Sequence, residues 1–236
     1  MSFVEPQTVD FYLTSPYPCS YLPEQITRSQ VLVPGTVPLG LAYDVLIRHG
    51  FRRSGGHVYR PRCDACQACI AVRLPVADFR PNRSQRRCRQ MNSDLQRRDL
   101  EPVFDAEHYA LYRRYQSARH GGCSMDVDDS EAYRAFLVAT PLRSRLLEWR
   151  MEGELVAVAL IDQVEGGLSA VYTFYSPDYP QRSLGTFAVL EEIELARQQG
   201  LSWLYLGYWI ADSAKMAYKA RFSPVEAYRD GVWIAL

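Results

Sequence analysis

Hydrophobic and polar positions along this chain alternate between two periods, and the alternation predicts its elements. Residues 39–50 repeat at helical spacing and stop at Gly50, which predicts a short helix. Residues 51–59 carry a Gly55-Gly56 turn and predict a hairpin. Residues 70–76 alternate as a strand, and 83–99 read as one Arg-rich helix. Tyr109, Tyr112 and Tyr115 fall at near-helical spacing, so an amphipathic helix is expected over 105–119, with another around 133–138. Strands are expected at 144–151 and 154–162, flanking the turn Glu152-Gly153, and at 168–175. The loop SPDYPQRSLG then leads into a helix over 186–199. Its Phe187, Leu190, Ile193 and Leu195 suit one buried face, and Gly200 ends it. A strand over 203–208, a short helix over 215–220 and a last strand over 226–234 complete the chain. Residues 1–35, broken by Pro16, Pro18, Pro23 and Pro34, read as irregular.

This order predicts an α+β protein with two parts. Residues 1–100 form a smaller Cys- and Arg-rich α+β region. Residues 101–236 run strand, strand, strand, loop, helix, strand, helix, strand, the layout of a GNAT-like acyltransferase domain with a mixed sheet and flanking helices. In such domains a loop opens a helix whose first amides hold phosphate. The stretch Gln181-Arg182-Ser183-Leu184-Gly185-Thr186 fits that role loosely, and an ordinary strand-to-helix turn fits it as well.

Composition narrows the class. The 236 residues are 47% hydrophobic, enough for one large core or two small ones. No apolar run approaches the ~20 residues that span a bilayer. The N-terminus MSFVEPQTVDFYL lacks the basic and apolar regions of a signal peptide, so a soluble cytoplasmic protein without a membrane partner is expected. Net charge is zero, which argues against a protein that coats nucleic acid along its whole surface. The charge is uneven, however. Between Arg48 and Arg98 stand 13 Arg against Asp64, Asp78 and Asp94 alone. Such a local basic surface binds phosphates even on a neutral chain. Lys215 and Lys219 are the only lysines; a preference for Arg codons explains that imbalance but not the scarcity of acids in this segment.

Six cysteines in a long, unexported chain point to reduced thiols or a metal rather than a disulfide framework. Cys63, Cys66 and Cys69 recur at a three-residue spacing that suits iron–sulfur ligation, with Cys19 as a candidate fourth ligand. Zinc is the other candidate, and packed free thiols are the plain alternative. Cys88 and Cys123 read as isolated buried thiols. His120 near Cys123 in RHGGC reads as a polar turn more readily than as a nucleophilic pair.

Several stretches carry a resemblance: PYPCSYLPE, YRPRCDACQAC, RLPVADFRPNRSQRR, VYTFYSPDYPQRSLGT, LYLGYWI and KMAYKARFSP. In this order, across nearly the whole chain, they resemble the bacterial, aspartate/glutamate leucyltransferase branch of the arginyl-tRNA–protein transferase family. The resemblance implies transfer of leucine from leucyl-tRNA to the α-amine of proteins that begin with Asp or Glu, which marks them for degradation by the N-degron route. No cofactor is implied for the transfer. Arginine as the transferred residue, an acyl-CoA-dependent N-acyltransferase and a noncatalytic RNA-binding module are the competing readings. The family's eukaryotic members carry a related Cys region. Here PYPCSYL supplies Cys19 alone where those members have a closely spaced pair, which leaves the fourth metal ligand open.

The implied reaction assigns candidate roles. Aminolysis of an activated ester asks for alignment, a proton acceptor and oxyanion stabilisation, and positioning supplies much of the rate. Tyr172, Tyr218 and Lys215 are the candidate catalytic residues, with the two phenols placed to relay a proton or bond the ester oxygen. The acceptor carboxylate calls for cations, so Lys215, Lys219 and Arg221, with Arg83, Arg86 and Arg87 and the adjoining Ser84 and Gln85, are candidate substrate contacts. Lys215 and Lys219, four apart, are expected on one helix face. The aromatics Tyr208 and Trp209 complete that cluster. Tyr175, Arg182 and Gly185 are candidates for the terminal adenosine of the tRNA, where stacking and phosphate contacts are needed. Glu191 or Glu192 could act as a base or merely favour the first half of their helix.

Overall fold

A computed structural model describes residues 9–35, 37–120 and 129–236. The His120–Cys123 pair lies outside the described side chains. Fourteen strands and five α-helices appear among the described residues. An eight-stranded mixed sheet runs β14(Val232–Ala235), β13(Glu226–Arg229), β7(Ile70–Pro75), β12(Trp203–Trp209), β11(Gly167–Tyr175), β10(Glu154–Val164), β9(Ser144–Met151) and β8(Gln96–Leu100). Its neighbours are antiparallel except β11 and β12, which run parallel. This is the α+β, mixed-sheet architecture that the element order predicts. Strands from both sides of residue 100 share the sheet.

Alternation along the strands splits two cores. Leu147 and Trp149 of β9, with Val156, Ala159 and Ile161 of β10, face α5(Leu184–Gln198). Leu146, Val158, Leu160 and Phe174 face α3(Ala106–His120). Helix α3 packs there through Leu111, Tyr112 and Tyr115, the spacing read from sequence. Helix α4(Ser130–Tyr133) runs into a π turn at Arg134–Val138 on the same side, which adds Tyr133 and Leu137. Each burial of such a side chain is worth roughly 1.5–3 kcal/mol, so two filled faces fix the sheet's register.

A smaller sheet, β1(Phe11–Leu13), β4(Ser29–Leu32), β6(His57–Pro61) and β5(Arg52–Ser54), packs with α1(Leu39–Leu46) in a third core. A two-strand pair, β2(Tyr17–Pro18) and β3(Ile26–Thr27), adjoins it. The expectation of an irregular 1–35 segment is therefore corrected: the prolines fall between or at the ends of very short strands. Two further expectations change. The Arg-rich helix α2(Arg83–Met91) stops eight residues early. Buried Asn92 donates to the carbonyls of Cys88 and Arg182, and residues 96–100 instead satisfy the open edge of β9. The last strand is a hairpin, folded at Asp230-Gly231, where both residues have positive φ. Asp-Gly is the usual signal for that turn.

One buried ion pair ties the small sheet to the large one. Arg53 on β5 makes a fork to Asp162 on β10 at 2.7 and 2.5 Å, and Ser144 donates to the same carboxylate at 2.6 Å. Both charged side chains are fully buried. Removing one partner strands the other charge, so Arg53→Met is expected to lower stability by about 3–5 kcal/mol. Urea unfolding of the two proteins measures this as a lower midpoint with an unchanged slope.

Candidate active site

Strands β11 and β12 pair only where Gly167–Ser169 meets Trp203–Tyr205. Beyond that point they part, although both continue. Arg52 of β5 occupies the gap. Its guanidinium donates to the carbonyl of Ala170 on one strand at 2.5 Å and of Tyr205 on the other at 3.4 Å. Carbonyls that lose their ladder partners are thus satisfied by a buried cation. The ladder between β12 and β7 shifts register between Tyr205 and Gly207. Gly207 has φ +84°, and a Cβ there would sit 3.6 Å from Arg52 and from the Lys219 ammonium. Glycine lets the strand bulge and lets both cations approach its backbone.

Lys219 lies beside Arg52. It is 6% exposed and donates to the Tyr208 carbonyl at 2.6 Å, with the Met216 sulfur at 3.1 Å. Burial first, then Arg52, lowers its pKa to about 7. Helix α5 brings Glu192 to the same place. That carboxyl is fully buried, with neither oxygen hydrogen-bonded, and Arg52 is the cation that acts on it. Glu191, the other candidate base, faces Arg89 at 3.6 Å. A 3-10 turn, Ala217–Arg221, carries Tyr218 next to Lys219, with 36% of its surface exposed. Burial raises its phenol to about 12, and the charges that act on it are Glu192, Arg119, Tyr175 and Arg52 in turn.

The aromatic wall comes from α3 and β11. Tyr172 donates to the Gln116 side chain at 3.5 Å, and Gln116 in turn donates to Tyr112. Arg119 donates to the Tyr175 hydroxyl at 3.1 Å. Tyr175 lies against Gly185, where an added Cβ would meet its ring at 2.9 Å. Behind β12, Tyr12, Tyr17, Tyr59, Tyr208, Cys19 and Cys69 help line a cavity of about 410 Å³.

The sequence-derived candidates divide. Tyr218 and Lys219 share the 217–221 turn, with the ammonium 5.8 Å from the ring centre, while Tyr175 and Tyr172 bond Arg119 and Gln116 of α3. Lys215 does not share a face with Lys219. The turn begins at Ala217 and is too tight and too short to carry both, so Lys215 is exposed in the preceding loop while Lys219 is buried. Gln85 is buried as a structural link. It closes the capping box of α2 with Asn82 and donates to the Arg221 carbonyl at 3.0 Å. Ser84 donates to Asn82 at the same cap. Arg83, Arg86 and Arg87 are exposed on α2, and the Arg221 side chain is exposed on the turn that α2 supports. Arg182 forks onto Asp94 at 2.8 Å and donates to the Met91 carbonyl. Tyr208 is buried with its hydroxyl directed to the Gly50 and Tyr59 carbonyls, and Trp209 is half-buried at the end of β12. The basic stretch is likewise split. Arg52 and Arg53 are buried, Arg73 lies between Trp203 and Trp233 and pairs with Glu226, and Arg80 bonds backbone carbonyls. Arg52, Gln116 and Arg119 escaped the sequence reading: a buried Arg in a basic run carries no distinguishing period, and the polar Gln116 and Arg119 read as ordinary positions on an amphipathic helix.

Cys19, Cys63, Cys66 and Cys69 are free thiols, each partly exposed. Burial pushes Cys69 up to about 12, and Cys19, Cys63 and Cys66 add to the shift, so the four are neighbours. Their chemistry suits zinc or an iron–sulfur cluster. Among the described residues no group of three or more His, Cys, Asp or Glu side chains is placed to hold a metal ion. Cys63 instead bonds Thr27 at 3.3 Å and donates to the Arg28 carbonyl.

Lys219 gives the fold a measurable pH dependence. The native ammonium releases its proton at about 7, below the ordinary 10.5 of the unfolded chain. Between those values the unfolded state binds more protons, so stability rises with pH. The destabilisation is fully present below 7 and is lost as pH approaches 10.5. Lys219→Met removes it, and wild-type stability is expected to gain on the variant by up to roughly 1.4 kcal/mol per pH unit across that window. Urea titrations at several pH values measure the difference.

The chain matches two family models, described as the arginine-tRNA-protein transferase N terminus over residues 17–87 and C terminus over residues 107–229. It is 52% identical to an aspartate/glutamate leucyltransferase of Chromobacterium violaceum, over 95% of this chain and 93% of that one. It is also 52% identical to one of Thiobacillus denitrificans, over 98% and 96%, and 46% identical to one of Pseudomonas aeruginosa, over 96% of each. The solved structure of FemX overlays 84% of this chain and 79% of its own at a TM-score of 0.46 and 7% identity. The two family models together cover most of both halves of the chain, and the protein belongs to the arginine-tRNA-protein transferase family.

Proposed function

We propose that this protein transfers leucine from leucyl-tRNA to the α-amine of proteins whose first residue is Asp or Glu, and so marks them for degradation by the N-degron route. The observation that carries the reading is 52% identity, across nearly the full length of both chains, to two proteins named for that reaction. The geometry supports it in three ways. The exposed Arg83, Arg86 and Arg87 give α2 a phosphate-binding face, and Gln85 ties α2 to the turn that carries Tyr218 and Lys219. Tyrosines on both sides of β12 offer stacking surfaces to unpaired bases of the CCA end. Lys215 and Arg221, both exposed beside the turn, supply the cations that an acidic N-terminal residue requires.

Chemistry needs little beyond this. The α-amine attacks the ester carbonyl carbon, the C–N bond forms, and the bond from carbon to the ribose oxygen breaks. The ester is already activated, so alignment beside Tyr172 and Tyr218 does most of the work. No cofactor enters the step, and none is routed through the cysteine quartet. Among the described residues no helix is long and apolar enough to cross a bilayer.

Incubation of the protein with an Asp-starting peptide and tRNA charged separately with leucine or arginine tests the reading by product mass. Leucine addition is expected. Arginine addition would change the donor, and activity with acyl-CoA instead would overturn tRNA dependence. Arg83→Ala or Arg87→Ala is expected to weaken charged-tRNA binding and flatten the plot of log affinity against log salt by about 0.7–0.9 for each phosphate no longer neutralised. Filter binding at several salt concentrations measures that slope, and folding should be unaffected because both side chains are exposed.

A further inference from the structure

The register of the small sheet lines up one row of side chains. Tyr12 of β1 stands opposite Val31 of β4, Val31 opposite Tyr59 of β6, and Tyr59 opposite Arg52 of β5. Residues opposite one another in a ladder point to the same face. A row carrying two phenol rings therefore crosses the sheet and ends at the Arg52 that fills the strand gap. The β2–β3 pair adds Tyr17, whose hydroxyl meets that of buried Ser29 at 3.2 Å. Strand β12 adds Tyr208, whose ring centre lies 6.2 Å from that of Tyr59. These side chains line the cavity of about 410 Å³ behind β12. Burial raises the Tyr21 phenol, and Tyr59, Cys69, Cys19 and Tyr17 add to the rise, so their polar tips face one space. Tyr12 and Tyr17 are each 45% exposed, which leaves two rings of the wall open to solvent.

The lining selects a class of ligand. Among the described residues it holds no carboxylate, no Lys and no Arg, and its one basic side chain, His57, is exposed. Arg52, at the end of the row, is committed to the Ala170 and Tyr205 carbonyls. A phosphate or an acidic side chain would bury its charge there without a partner. A leucyl chain would leave the Tyr, Ser and Thr hydroxyls of the wall unpaired. A flat, neutral ring with hydrogen-bonding groups on its rim fits, since it stacks on phenol faces and bonds hydroxyls at its edge. A nucleobase has that chemistry. We infer that this cavity seats the terminal adenine of the charged tRNA. The inference rests on the aminoacyl-transfer reading, and it moves the adenine away from Tyr175, Arg182 and Gly185. That alternative position is filled by the protein itself. The Tyr175 ring lies 2.9 Å from where a Gly185 Cβ would stand, and Arg182 is forked onto Asp94. The cavity wall also meets the turn that carries Tyr218, because the Tyr208 carbonyl takes the Lys219 ammonium at 2.6 Å. An adenine stacked on Tyr12 and Tyr59 lies one strand from Arg52, beside the gap to which its ribose and ester extend.

The test is filter binding of an uncharged leucine tRNA ending in CCA, beside the same tRNA trimmed to end in CC. Wild type is compared with Tyr12→Leu and Tyr17→Leu. Both side chains are half exposed, and thermal melting of the variants checks that the fold is kept. Stacking on an aromatic side chain contributes roughly 5- to 150-fold per base. Wild type is expected to hold the intact tRNA more tightly than the trimmed one by a factor in that range. Each variant should lose most of that preference and bind the trimmed tRNA as wild type does. Its salt dependence should match wild type, because no phosphate contact is removed. Tyr17→Phe, which keeps the ring, should keep the preference. A wild type indifferent to the terminal adenine, or one whose preference survives in both Leu variants, overturns the inference. Variants that keep the tRNA preference but raise KM for an Asp-starting peptide overturn it too, and assign the cavity to the acceptor protein. Loss of the preference in Arg182→Gln but not in Tyr12→Leu returns the adenine to the start of α5. A wild type that transfers neither leucine nor arginine overturns the transfer reading, while the binding comparison, which needs no transfer, still decides the cavity.

Discussion

The buried guanidinium of Arg52 is the constraint on which the rest of the site depends. Two parallel strands that separate leave carbonyls without partners, and a gap of that kind closes or fills with water unless something satisfies them. Arg52 bonds Ala170 on one side and Tyr205 on the other, so the opening is held by a charged group rather than by loop shape. Everything that titrates nearby does so in its field. It helps to depress Lys219 and tempers the rise of Glu192. Because Arg52 belongs to β5, the smaller sheet supplies a part of the site that the larger sheet cannot make for itself.

The same sheet contact explains why the basic stretch serves two purposes. Arg52, Arg53 and Arg73 are structural cations, each matched to carbonyls, a carboxylate or stacked indoles. Arg83, Arg86 and Arg87 stay on the surface of α2. Guanidinium suits both uses, since its flat fork bonds several oxygens at once and its weak hydration tolerates burial. Lysine, with its compact and strongly hydrated charge, occurs among these site residues only where a shifted proton affinity results, at Lys219, or on the surface, at Lys215.

Much of the architecture was legible from period alone. The α3 tyrosines, the β9–β10 hairpin and the α5 face all appear where the alternation places them. The Arg83–Asp99 helix was overextended because local preference cannot register the empty edge of β9, fifty residues away, that claims residues 96–100. The Asp230-Gly231 turn was readable from its two residues and was missed. At the candidate site, Lys219 was readable as one of two lysines in the chain, and it lies beside Arg52 at Gly207. Arg52 was not, since a three-residue strand gives no sign of which side chain turns inward. The helix expected at 215–220 placed Lys215 beside Lys219, and the tighter turn separates them.

The position of β7 has a bearing on how the molecule is made. Arg73 pairs with Glu226, 153 positions later, and Ile70 stands opposite Trp209. During synthesis from the N-terminus, β7 is finished long before β12 and β13 exist to flank it. Its Val72 and Leu74, fully buried in the finished sheet, remain without their final neighbours until the last stretch of chain leaves the ribosome. High sequence separation of this kind slows folding and lengthens the life of sticky intermediates. The strand at residues 70–75 therefore waits on residues 203–229 before its two edges are paired.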